Sequence, residues 1–178
     1  RIVGFILQVI LLTIFTQIGG IVLCLLIPFF RYLDRNVERR SRRMMARAAV
    51  FFTVYGMVTV LLIPPLASLT GRVPLPTNQT ELQPLNFLTL AMNRHYVTPR
   101  MKRAVLRVAD KMNKKYPRTT VAYLDANFPF FDGFPLLPHL SHNDGRKLDL
   151  ALLYTDTETK EPINGDAPSV IGYGVHEG

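Results

Sequence analysis

Two long runs without a charged residue open the chain, residues 2–30 and 48–70, both rich in Leu, Ile, Val and Phe. Each exceeds the roughly 20 apolar residues that cross a bilayer as a helix, so the pattern predicts a two-helix transmembrane hairpin over residues 1–70. Pro64 and Pro65 fall late in the second run and predict a kink or an end near the far interface. Residues 71–84 (GRVPLPTNQTELQP) read as a linker, and residues 85–92 as a short helix or an apolar ramp. After these the periodicity changes. Thr98-Pro99 is a helix start, an N-cap hydroxyl followed by proline at the first helical position. Met101, Val105, Val108 and Met112 then recur at helical spacing up to Tyr116-Pro117. Residues 119–125 have strand composition. In residues 147–154 the alternation puts Leu148, Leu150, Leu152 and Tyr154 on one strand face and Asp149 on the other. Residues 169–175 form a last strand-like run. The fold expected is the hairpin followed by an α+β domain over 85–178, with a small, mainly antiparallel sheet packed on the amphipathic helix.

Charge orients this arrangement. The chain of 178 residues carries a formal net charge of +8. Seven arginines lie between the two apolar runs, in residues 31–47, against Asp34 and Glu38. A short loop this basic stays in the cytoplasm, so both ends of the hairpin face away from it. Between two spans the arginines read as a topology signal that also meets anionic lipid, and not as a nucleic-acid site. The domain that follows is then extracytoplasmic and its partner is the bilayer. The basic face of the 98–116 helix (Arg100, Lys102, Arg103, Arg107, Lys111, Lys114, Lys115) reads as solvated. Cys24 is the single cysteine, which excludes an intrachain disulfide and a cysteine metal site. Four phenylalanines in residues 127–138 (NFPFFDGFPLLP) either wall a substrate cleft or are buried against the domain or the membrane surface.

The candidate chemistry lies in residues 138–150. His142 stands before a turn at Gly145 and Asp149 after it, so both side chains can reach one metal ion. His139 is three residues before His142, and on an extended segment the two rings would diverge; joint ligation needs a turn.

The string His139-x-Ser141-His142-x-x-Gly145-x-x-x-Asp149-Leu150 resembles the metal motif of the penicillin-insensitive murein endopeptidases. It also resembles the wider group that joins lysostaphin-type peptidases, D-Ala-D-Ala peptidases and the hedgehog signalling domain. The order of an amphipathic helix ending at an aromatic-Pro pair, a strand, a loop and the His/Asp turn is similar too. The resemblance covers about residues 98–154. It implies a Zn2+ site with His142 and Asp149 as the first two ligands and His139 as a substrate or outer contact. It implies a third histidine further along, which is either His176 or a residue past Gly178, the chain then being a fragment. Glu177 is the candidate general base, although the family's base precedes the ligand. The activity implied is metal-assisted hydrolysis of peptidoglycan peptide cross-links outside the cytoplasmic membrane of a bacterium. The competing reading is a membrane-tethered module that binds zinc and a wall component or partner without catalysis.

Overall fold

The computed structural model describes residues 2–167, 169, 173 and 174, so most of the strand expected over 169–175 lies outside the described residues, as do His176 and Glu177. The chain divides into two units, Arg1–Leu66 and Ala67–Gly178.

In the first unit the opening apolar run is not one long helix. It forms α1 (Ile2–Thr16), α2 (Gly19–Leu25) and α3 (Ile27–Asn36). The break after α1 is at Gln17, whose φ is 65°. Gly19 and Gly20 then let α2 fold back on α1. A Cβ on Gly20 would lie 2.6 Å from the Val9 carbonyl oxygen and 2.1 Å from Thr13 Oγ1. Close backbone approach at small residues is how apolar helices pack without a larger side chain between them. Thr16 Oγ1 accepts the Gly19 amide at 2.8 Å, satisfying a donor that the broken helix leaves free.

The second run keeps its continuity. α4 (Arg40–Met57), a π-helical turn (Val58–Leu62) and α5 (Ile63–Leu69) form one helix of 30 residues, Arg40–Leu69. Among the described residues it is the one helix long and apolar enough to cross a membrane; α1 is apolar but shorter. Pro64 and Pro65 do not end it. They lack N–H groups and their rings press on the carbonyls one turn back, and the wider π turn immediately before them accommodates both. The arginine stretch is largely helical: α3 and α4 carry its arginines except Arg39, and Asp34 takes Arg43 Nε at 3.4 Å and also pairs with Arg47.

The second unit is α+β with small sheets. β1 (Val73–Pro74) pairs antiparallel with β3 (Tyr96–Val97), and β2 (Leu82–Pro84) pairs parallel with β4 (Val121–Tyr123). The pairing is mainly antiparallel, as expected, with β2–β4 as the parallel exception among the described residues. β5 (Tyr154–Thr155) and β6 (Pro162–Ile163) make a separate antiparallel pair. On the other edge of β4, residues 149–151 run antiparallel, with Leu124 N donating to Asp149 O, Asp149 N to Asp125 O and Ala151 N to Ala122 O, each at 2.9 Å.

The stretch expected to be a linker thus supplies two strands, and Leu75 and Leu82 from it are in the core. Its prolines sit at strand ends or outside strands, where a missing donor costs little. α6 (Phe87–Ala91) begins at Asn86, whose side chain accepts the Thr89 amide at 3.2 Å.

α7 (Pro99–Lys115) starts where the sequence places it, with Thr98 Oγ1 accepting the Met101 amide. Its buried stripe is Met101, Val105, Ala109 and Met112, packed on Leu75, Leu82, Val97, Val121 and Tyr123. Val108, expected on that stripe, is half exposed: the face centres on the buried Val105 and Ala109 with Leu106 beyond them, and at about 100° per residue Val108 lies about 60° from Val105 and about 100° from Ala109, at the edge of that face. Lys102, expected on the solvated face, lies beside the sheet and donates to Pro74 O at 2.8 Å. In the 147–154 stretch only Leu148 packs on the core; Leu150 and Leu152 are exposed. Leu150 lines an open cleft, and Leu152 lies past residue 151, where the segment leaves β4.

His95 is buried at the end of β1's partner segment, its ring 4.6 Å from that of Tyr96 and its Nδ1 without a hydrogen-bond partner among the described residues. Burial pulls its pKa down to about 4, against a smaller upward effect of the Thr89 backbone hydrogen bond. The folded value lies below the unfolded one near 6.5, so the unfolded chain takes up the proton first on acidification. This contribution to stability is complete above about pH 6.5 and is lost as pH falls to about 4, amounting to about 3 kcal/mol. Thermal melts of the protein in detergent at pH 7 and pH 4.5 should show His95→Phe losing less stability on acidification than the parent chain; equal losses would contradict the assignment.

Candidate metal centre

The site is built around one side chain of the loop after β4. Asn127 is 1% exposed. Its Oδ1 accepts the Gly145 amide at 3.0 Å, its Nδ2 donates to Lys147 O at 2.9 Å, and its main-chain oxygen accepts Tyr96 N at 3.0 Å. Thr98 N donates to Gly145 O at 2.8 Å, which ties the same turn to the start of α7. Gly145 has φ 73°, and the buried Arg72 guanidinium lies over it. Both features need glycine: the dihedral is left-handed, and a Cβ would fall 1.7 Å from an Arg72 nitrogen.

The turn sets the two sides of the centre. Asp149 is fixed by its backbone pairing to β4, which leaves its carboxylate free to face residues 139–142. His142 is 6% exposed, and its Nδ1 lies 2.8 Å from Ala126 O. A carbonyl only accepts, so Nδ1 carries the proton and Nε2 presents its lone pair. Nε2 is 3.2 Å from Asp149 Oδ1. A backbone carbonyl that fixes the far nitrogen is the outer contact that metal-binding histidines require.

His139 joins them. The His142 amide donates to His139 O at 2.9 Å, closing a turn that brings the two rings to 5.4 Å between centroids. His139 Nδ1 is 2.6 Å from Asp149 Oδ2. One donor atom from each of His139, His142 and Asp149 lies within 4.8 Å of the others, close enough to hold one metal ion. His139, which the sequence placed outside the ligand set, is within ligand reach. His176 and Glu177 lie outside the described residues, and His95 is not part of the cluster.

Tyr173 is a residue that sequence reasoning missed. Its hydroxyl donates to Asp149 Oδ2 at 2.9 Å and lies 3.2 Å from His139 Nδ1. Burial first, then the charges of Asp125 and Asp149, push the phenol's pKa up, so it keeps its proton at neutral pH. Asp125 is itself buried and paired with Arg94 at 3.1 Å. No spacing rule marks Tyr173, since it reaches the site from a segment 24 residues beyond Asp149. An open cleft lies over the centre, with Pro138, Leu140, Leu148 and Leu150 as apolar lining. The phenylalanine loop is not its wall: Phe128 is buried and meets Phe134 edge-on at 5.4 Å.

The chain matches no protein-family model, no curated protein and no solved structure.

Proposed function

We propose that the chain is a membrane-anchored zinc metallopeptidase that acts on peptidoglycan peptide cross-links outside the cytoplasmic membrane. The observation that carries the reading is the donor set of His139, His142 and Asp149 with the His142 tautomer fixed by Ala126 O. Two imidazoles and a carboxylate without a thiol suit zinc in a hydrolytic role and leave a position open. The motif over 139–150 and its likeness to murein endopeptidases supply the substrate class.

When bound, the ion supplies a Lewis acid that polarises a peptide carbonyl and acidifies water. The chain's own groups hold the geometry. Ala126 O orients His142, the β4 pairing holds the Asp149 backbone, and the Tyr173 hydroxyl, whose one proton goes to Asp149 Oδ2, holds the carboxylate in place. Pro138, Leu140 and Leu150 offer apolar surface to the peptide's side chains. The helix Arg40–Leu69 crosses the membrane with the arginines of residues 31–47 on the cytoplasmic side, which puts the centre outside.

One observation favours a second reading, a zinc-binding module without catalysis. Among the described residues lining the cleft, Asp149 is the single carboxylate, so none remains there as a general base.

The test is digestion of purified cross-linked muropeptides by the full chain in detergent, followed by chromatography. Cleavage that stops on chelation, returns with zinc and is absent in His139→Ala supports the peptidase. Zinc binding without cleavage supports the module, and cleavage that survives chelation removes both readings.

A further inference from the structure

Phe131 is exposed to 70%, although Phe128, three residues earlier, is buried at 3%. Its backbone has φ 47°, a left-handed conformation that bulky residues rarely adopt. Such strain persists only where the surroundings hold it, and here they do so on two sides. Thr70 Oγ1 lies 3.1 Å from Pro129 O, and the Arg72 guanidinium pairs with Asp132. On the other side Gly133 N donates to Asn143 O at 2.9 Å. Thr70 and Arg72 directly follow the end of the apolar helix at Leu69, and Asn143 directly follows His142. The turn that carries the exposed ring is therefore held, through Pro129, Asp132 and Gly133, between the residues that follow that helix and the metal-site turn.

We propose that the Phe131 turn is a lipid-interface anchor, with the ring entering the outer headgroup boundary of the bilayer that the helix Arg40–Leu69 crosses. The inference rests on reading that helix as a membrane span. The occupant follows from chain continuity. Residues 67–72 leave the bilayer at this level, and the turn is bonded to them. An aromatic ring is favoured at the interface, and the Arg72–Asp132 pair beside it suits the headgroup layer. The anchor fixes the height of the His139–His142–Asp149 centre above the membrane, through Gly133 and Asn143, and so directs it to peptides lying against the membrane surface.

The chain has no tryptophan, so single-tryptophan variants read position directly. Phe131→Trp and, on the helix, Leu61→Trp are reconstituted as full chains in phosphatidylglycerol/phosphatidylethanolamine vesicles, with acyl chains either plain or brominated near the headgroup. The anchor predicts blue-shifted Phe131→Trp emission that brominated lipid quenches at least about two-fold. Quenching of Leu61→Trp with Phe131→Trp unquenched overturns the anchor and leaves the span intact. Absence of quenching at both positions overturns the span and the anchor with it.

Discussion

Replacing Asp149 with alanine lowers the affinity for zinc by more than about 100-fold and leaves the domain folded. Losing an outer contact of a metal ligand already costs 10–100-fold, and Asp149 is a donor itself. Its place in the fold depends on the backbone, through Leu124 N, Asp125 O and the antiparallel run beside β4, so truncation at Cβ does not disturb the pairing. The carboxylate is the hub of the cluster: His139 Nδ1, His142 Nε2 and Tyr173 Oη all point at it. His142→Ala loses affinity on the same scale and also leaves the Ala126 carbonyl unpaired, which costs about 1–3 kcal/mol of stability. Competition with a chromophoric chelator measures the affinity, and circular dichroism checks the fold. Parent-like affinity in Asp149→Ala would remove it from the ligand set.

The second large effect is on stability. Gly145→Ala destabilises the domain by about 2–4 kcal/mol, more than a surface substitution costs. Part of this is the left-handed backbone at φ 73°. The rest comes from Arg72. Its guanidinium is the end of a flexible side chain, but it is buried and paired with Asp132, so it moves only by giving up that environment. Asp132 is mostly exposed and loses little when Arg72 is removed. In an Arg72→Ala background the cost of Gly145→Ala should therefore fall to the backbone part, about 1–2 kcal/mol. Denaturant midpoints of the four proteins give this coupling. An unchanged cost would mean that Arg72 does not constrain the turn.

The sequence was most legible where one residue type has one reason to be there. Thr98-Pro99 starts α7, and Gly145 makes the turn between His142 and Asp149. It was least legible where tertiary partners decide. Leu150 and Leu152 alternate like a buried strand but are exposed. The proline-rich stretch after the long apolar helix resembles a linker, yet Leu75 and Leu82 enter the core. The opening apolar run is long enough for a span, yet Gly19-Gly20 fold it onto itself. At the centre, His139 needed a turn that spacing alone did not reveal, and Tyr173 reaches the site from a distant segment.

The central claim is that His139, His142 and Asp149 hold one metal ion. X-ray absorption at the zinc edge, on the full chain loaded with one equivalent in detergent, tests it most directly. The account predicts one zinc per chain in a nitrogen/oxygen shell without sulfur, with outer scattering from at least two imidazoles, one of which disappears in His139→Ala. Substoichiometric zinc, or a spectrum unchanged by His139→Ala, would contradict it.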